Sequence, residues 1–168
     1  MSARGLTLLE ILVALALTGL MMTAIAPLIF QIMKGTARDS GEAVALADID
    51  LAAHWISRDI IQGSTTDLID AQSPETHMRL DWTDLTGWGE SEGPIAHTIT
   101  YTYDAPTGEL ERDFDGQVSI VGHHLTDVGF SISGRTVTVT LTSSPDSFNP
   151  RPEERRTYSF YLRASTAL

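Results

Sequence analysis

The residue with the clearest chemical consequence is Glu10, a carboxylate at the front of a long apolar segment. Residues 11–33, which follow it, contain no charged side chain. A carboxylate at the hydrocarbon centre of a bilayer costs about 2.5–3.5 kcal/mol on insertion scales, and less near a helix end. Even there it is more stable beside a cation. The placement of Glu10 therefore predicts a segment that enters a membrane and meets a charged partner.

The rest of the chain offers little for catalysis or metal binding. It has no His-Glu-x-x-His pattern and no phosphate-binding loop that ends in Gly-Lys-Ser/Thr. His123 and His124 are adjacent, and adjacent strand side chains point to opposite faces, so they suit one metal ion poorly. Asp113 and Asp115 before Gly116 resemble the start of a calcium loop without its later ligands, which favours a hairpin turn. We predict no catalytic residue, no metal site and no cofactor.

Two pairs of charged residues in the amphipathic segment that follows the apolar one are interpreted as surface features. Asp48 and Asp50 are two residues apart, so their side chains diverge on a helix and are predicted to be solvated. Arg58 and Asp59 are predicted to form either a local ion pair, of little energetic value if exposed, or a contact with a helix of another subunit.

The elements that position these residues begin with one long helix. Residues 6–33 are long enough and apolar enough to span a bilayer. The helical period then resumes as a stripe of Leu46, Ile49, Ala53, Ile56 and Ile60, and Gly63 is a stop signal. We expect one helix over residues 6–62, roughly 85 Å long, with a kink at Pro27 and a possible second bend at Gly35.

Beyond residue 76 the pattern changes to the two-residue period of strands. Tyr101 and Tyr103 alternate with threonines and lead through a Pro- and Gly-containing turn into the next strand. The predicted fold class is α+β, with the helix lying across an antiparallel sheet. The predicted strands cover residues 77–82, 99–103, 109–114, 118–121 (an edge strand), 128–132, 135–142 and about 158–162. Residues 86–94 and 143–152 are predicted loops.

Composition limits the function. Residues 36–168 contain 21 Asp and Glu against nine Arg, a net charge of −12 before the histidines. Binding to nucleic acid needs clustered cations, so no direct nucleic-acid partner is predicted. The chain has no cysteine, so its globular part is stabilised without disulfides.

The segment Gly5-Leu6-Thr7-Leu8-Leu9-Glu10 resembles the cleavage and methylation signature of type IV pilins and type II secretion pseudopilins. The resemblance implies that a prepilin peptidase cuts after Gly5 and methylates Leu6, and that Glu10 directs assembly with other pilin-like subunits. Leu6 departs from the family's usual Phe. The implied organisation is a leader at 1–5, a membrane and filament-core helix at 6–34 and a head at 35–168. The resemblance also places the head outside the cytoplasm, on a single-pass inner-membrane anchor.

Later segments resemble a narrower group, the minor pseudopilins of the J type and related type IV minor pilins. The similar segments are Arg-Asp-x-x-Gln at residues 58–62, Tyr-x-Tyr at 101–103 and Gly-x-Leu-x-Arg at 108–112. They imply a non-enzymatic subunit near the tip, or in the initiating complex, of a secretion pseudopilus or a pilus.

Three other interpretations of the chain remain open from its sequence. The helix could be a plain membrane anchor, or a secretory signal ending at the Ala24-Ile25-Ala26 triplet. Pro27 directly after that triplet disfavours signal cleavage, and a plain anchor gives no reason for Glu10. The competing function is a membrane-anchored head that binds an exported ligand, with the helix as a simple tether.

Overall fold

The computed structural model describes residues 8–85, 93–145 and 153–163, apart from the side chain of Ala37. Its first element is α1, one continuous helix over Leu8–Gln62 with 55 residues. At 1.5 Å per residue it is about 82 Å long. The prediction of a single long helix ending at Gln62 is confirmed, while its start at residue 6 lies outside the described residues.

Eight antiparallel strands follow the helix and form two sheets. The five-stranded sheet has the order β1-β2-β3-β4-β5, and the three-stranded sheet has the order β6-β7-β8. The strands are β1 Thr65–Thr66, β2 His77–Asp84, β3 Ile95–Asp104, β4 Glu109–Phe114, β5 Gln117–Gly122, β6 Leu125–Ser133, β7 Thr136–Ser143 and β8 Glu154–Tyr161. The α+β class is confirmed, and β5 is an edge strand as predicted.

The division into two sheets and the two-residue strand β1 were not predicted. A pair of backbone hydrogen bonds between Glu75 and Phe130, both 2.8 Å, joins the segment before β2 to β6. The Tyr103 hydroxyl also donates to the Leu125 carbonyl at 2.9 Å. The sheets are therefore held together along their boundary. Of the predicted loops, residues 86–92 and 146–152 lie outside the described residues, and Ser143 is the last residue of β7.

The head core lies between the second half of α1 and the sheets. Ile49, Ile56 and Ile60 are fully buried and Ala53 is 7 % exposed, so the predicted stripe does face the sheets. Leu46, at its near end, is only half-buried. Burial of each large aliphatic side chain contributes about 1.5–3 kcal/mol. The same cluster contains Ala52, Leu68, Met78, Leu80, Ile99, Tyr101, Leu110, Val121, Leu125, Val128, Phe130, Ile132, Val137, Val139, Leu141 and Leu162.

Tight turns fix the strand register at both ends of β4. Gly108, before β4, has φ +69°, and a Cβ built on it would lie 2.9 Å from the Leu125 carbonyl oxygen. After β4, Asp115 and Gly116 have φ of 50° and 89°, and the Gly116 N–H donates to Asp113 Oδ1 at 2.7 Å. The prediction of a hairpin turn at Asp113–Gly116 is confirmed.

Candidate assembly site

The first half of α1 packs against nothing in the described parts of the head. Every described side chain from residue 8 to residue 36 is exposed, and the large apolar ones range from 48 % exposed at Val13 to 82 % at Leu8. An apolar surface of this size needs lipid or another protein to cover it. Among the described residues, α1 is the one helix long and apolar enough to cross a membrane.

Glu10 lies in the first turn of α1, between Leu9 and Ile11, which are 71 % and 50 % exposed. A carboxylate is favourable in a first helical turn because the unpaired backbone N–H groups give that end a partial positive charge. Glu10 therefore lies on an otherwise apolar and exposed surface, where a neighbouring chain can contact it.

The hydroxyl groups of Thr18 and Thr23, within the apolar half, donate hydrogen bonds to backbone carbonyls of the same helix. The Thr18 hydroxyl donates to the Ala14 carbonyl, and the Thr23 hydroxyl to the Leu20 carbonyl, both at 2.7 Å. Such internal bonds allow threonines in a bilayer. Pro27 lies inside the helix and has no N–H, so the Thr23 carbonyl loses its usual helical donor. The kink at Pro27 stays a prediction.

The apolar half ends at two cationic residues, one over an aromatic ring and one paired with a carboxylate. The Lys34 ammonium lies over the Phe30 ring, 4.8 Å from its centroid, and Arg38 Nε is 2.7 Å from Glu42 Oε1. Lysine commonly extends along apolar surface to place its charge at the water interface. This arrangement is typical of the boundary between a membrane segment and a soluble head.

In the head, Asp59 is a buried anchor between helix and sheet. Its carboxylate receives hydrogen bonds from Arg112 Nε at 2.6 Å and from Arg112 Nη2 at 3.2 Å, and Tyr101 donates its hydroxyl to Asp59 Oδ2. Only 1 % of Asp59 is exposed. The predicted local pair of Arg58 and Asp59 is therefore wrong, because the carboxylate binds an arginine 53 residues away on β4.

Aromatic rings enclose the Arg112 guanidinium. Its carbon lies 5.2 Å from the Trp55 ring centroid and 5.3 Å from that of Phe114. The hydrogen bonds with Asp59 raise the pKa of Arg112, so its charge is permanent. Burial first, and then the Asp59 charge, raises the pKa of Tyr101 well above its usual value.

The buried Tyr101 predicts a loss of stability in alkali. The folded head keeps this phenol neutral, whereas the unfolded chain ionises it above about pH 10. Its contribution to the free energy of unfolding is thus fully present below pH 10 and is lost as the pH rises further. Urea unfolding at pH 8 and pH 11 should show this fall, and a smaller one in Tyr101→Phe. An equal fall in both proteins would contradict the assignment.

Two more carboxylates fasten α1 on either side. Asp48 Oδ2 lies 2.9 Å from His124 Nδ1, next to β5, and the Tyr158 hydroxyl on β8 donates to Asp50 Oδ1 at 3.2 Å. The prediction of a solvated surface is wrong for Asp48, whose side chain is 16 % exposed, and is confirmed for Asp50, which is exposed. Their divergence on the helix lets them reach opposite sides of the head.

Residues 1–26 match the family model for the prokaryotic N-terminal methylation motif. The match supports a type IV pilin-like family. No curated protein and no solved structure shows a significant match to the chain. The motif implies processing by prepilin peptidase and assembly with other pilin subunits, and it suggests a structural protein. With the long apolar helix it fits a membrane-anchored pilin.

Three of the four predicted site residues lie inside the matched methylation motif, and the fourth, Pro27, directly follows it. Gly5 and Leu6 lie outside the described residues, Glu10 is on the exposed first turn, and Pro27 follows the matched range. Glu10 and Pro27 are 17 positions apart, about 26 Å along the helix. They do not form one local site; they belong to one continuous apolar surface.

Four of the five histidines, His77, His97, His123 and His124, lie beside carboxylates. His124 binds Asp48, His123 Nδ1 lies 3.5 Å from Glu109 Oε1, and the two rings are 6.3 Å apart. In the described parts of the chain no three metal-ligating side chains come together. His97 binds Asp115, and this hydrogen bond lowers the pKa of Asp115.

Sequence reasoning missed two features of the chain. The first is the buried cluster of Asp59, Tyr101 and Arg112. All three residues belong to the segments that resemble J-type subunits, so the sequence could have indicated that they share a role.

The second is Gly89-Glu90-Ser91-Glu92-Gly93, which has the letters of the Gly-x-Ser-x-Gly nucleophile pattern. That pattern requires a helix directly after the serine turn, whereas β3 begins at Ile95, two residues after Gly93. Residues 86–92 lie outside the described residues.

Proposed function

We propose that this protein is a structural subunit of a type II secretion pseudopilus or a type IV pilus. It is cleaved after Gly5, methylated on Leu6, and anchored by residues 6–34 as a single-pass helix in the inner membrane. Its head, residues 35–168, lies outside the cytoplasm. The observation that carries the proposal is the methylation motif on a helix whose apolar half is wholly exposed.

The role of Glu10 follows from the cleavage. Removal of residues 1–5 creates an ammonium on Leu6, about one helical turn before Glu10. A neighbouring subunit shifted along the axis places its own Glu10 beside this ammonium. Pairing reduces the penalty of desolvating either charge alone and favours one register. Methylation keeps the positive charge, so the pairing survives it.

We further propose a minor subunit of the J type, or a related minor pilin, in the tip or initiating complex. The support is the resemblance of residues 58–62, 101–103 and 108–112. Within them, Asp59, Tyr101 and Arg112 meet in one buried cluster, so these segments share a structural purpose. The acidic head supports protein partners rather than nucleic acid.

Sequencing the mature N-terminus tests the processing step. In cells with prepilin peptidase, the protein should start at a methylated Leu6, and Gly5→Leu should retain residues 1–5 because the cleavage site is lost. Mass spectrometry of the N-terminal peptide makes both measurements. A start at Pro27, or a mature protein that keeps Met1, would refute the proposal.

Exchange of the helix tests the competing function, a tethered ligand-binding head. Residues 6–34 would be replaced by an unrelated membrane span, and recovery of other pilin-like chains with the protein would be measured. If the protein assembles through its helix, the exchange abolishes the recovery of these chains. If the helix is only a tether, the exchange leaves their recovery and the ligand binding of the head unchanged. Retained recovery after the exchange would favour the tether.

A further inference from the structure

The five-stranded sheet ends in β1 and β5, and the three-stranded sheet ends in β6 and β8. β1 has only two residues and β6 is bridged to Glu75. Within residues 8–85, 93–145 and 153–163, β5 and β8 are therefore the long edge strands with no partner on their outer side. Val118 and Ile120 on β5 are 63 % and 45 % exposed, and Tyr161 on β8 is 70 % exposed. An exposed apolar edge strand offers a row of backbone groups to another strand. Both edges therefore have the chemistry of strand-pairing surfaces.

On the same side of the sheets, acidic side chains of β4 lie beside the β5 edge, and an arginine and a tyrosine lie on β8. Ile120 and Val118 pair with Glu111 and Asp113 on β4, so apolar and acidic side chains share the face that points away from α1. On β8, Arg155 and Tyr161 share the corresponding face, because they are an even number of positions apart. Arg155 and Tyr161 of one copy can therefore contact the aliphatic side chains of β5 and the acidic side chains of β4 beside them in another copy.

The two edges also run in opposite directions along α1. On β5, Ser119 pairs with Arg112, which binds Asp59, whereas Gly122 lies beside Ala52. β5 therefore runs toward the N-terminal end of the helix. β8 runs the other way: Tyr158 binds Asp50, and the N–H of Arg163, just past the strand, donates to the Gly63 carbonyl.

We propose that β5 of one copy pairs with β8 of a second copy, adding the sheets of neighbouring heads edge to edge. Copies whose helices stand parallel in one membrane present β5 and β8 antiparallel, the pairing that both sheets already use. The contact joins two different surfaces, so the two copies bind head to tail rather than about a two-fold axis. The inference rests on the proposed function only for the parallel helices, which also raise the local concentration of the heads.

Cysteine cross-linking between two copies tests the pairing directly, because the natural chain has no cysteine. Full-length Val118→Cys and Tyr161→Cys proteins, carrying different tags, would be co-expressed and treated with a mild oxidant. We expect a disulfide between the two tags at least tenfold above that of either variant with itself. The matched control is Thr102→Cys with Tyr161→Cys, since Thr102 is exposed on the central strand β3, away from both edges.

Co-precipitation of the two tags without oxidation reports assembly separately. Copies that co-precipitate without forming the Val118–Tyr161 disulfide would overturn the edge pairing and leave the proposed function standing. Absence of both signals would count against both. A disulfide from Val118→Cys with itself that equals the mixed one would also overturn the pairing, because it implies a symmetric contact between two β5 strands.

Discussion

Glu10→Ala is expected to insert into the membrane and to be cleaved after Gly5, yet to assemble at least tenfold less. We expect insertion to depend on the apolar residues 11–33 and the proposed cleavage to depend on Gly5, so neither should need the carboxylate. In the proposed pairing assembly does need it, because without Glu10 the Leu6 ammonium of a neighbour has no carboxylate beside it in an apolar environment. The measurement is the fraction of processed subunit recovered with other pilin-like chains, compared with the wild-type protein.

Glu10→Gln and Leu9→Ala are the matched controls. Glutamine keeps the size of the side chain and removes its charge, so it should fail like alanine. Leu9, which is 71 % exposed on the same surface, should lose far less. Assembly by Glu10→Gln at the wild-type level would show that shape, rather than charge, is what the neighbour recognises.

A zero-length carbodiimide cross-link can locate the partner of Glu10. Lys34 is the only lysine, so after the proposed cleavage Lys34→Arg leaves the Leu6 amine as the one amine within residues 6–168. Mixed light and heavy isotope-labelled subunits should then give a peptide that joins Leu6 of one chain to Glu10 of another. Links found only within one chain would contradict pairing between subunits.

Arg112→Met is expected to destabilise the head by about 3–5 kcal/mol, the usual cost of leaving one charge of a buried pair uncompensated. Asp59 is 1 % exposed, so water cannot replace the guanidinium. The loss also removes the packing of Arg112 between Trp55 and Phe114. Tryptophan fluorescence during urea unfolding of the full chain in detergent gives the change in the free energy of unfolding.

The double variant Asp59→Leu/Arg112→Met separates the charge from the packing. If the unpaired carboxylate causes the loss, the double variant should be more stable than Arg112→Met alone. Arg38→Met is the exposed control, since its pair with Glu42 lies at the surface and contributes at most about 1 kcal/mol. An Arg112→Met protein no less stable than Arg38→Met would refute the buried anchor.

Much of the fold could be read from periodicity. The three- and four-residue spacing of Ile49, Ala53, Ile56 and Ile60 identified the buried helix face, and the seven predicted strands were all found. Boundaries differed by several residues, as at β3, which begins at Ile95 rather than at residue 99. Strand β1 was missed because two residues carry no alternation. The division into two sheets was missed because local pattern does not specify which strands are neighbours.

The sequence by itself determined what depends on local chemistry. Glu10 in an apolar helix, Gly5 before it and the acidic excess of the head are properties of residues near one another in the chain, so their meaning does not depend on the fold. Only the tertiary structure decided the partners of Asp48, Asp50 and Asp59. Each of these carboxylates binds a residue 53 to 108 positions away. A charged residue on a helix is interpreted as solvated until folding brings a distant donor against it.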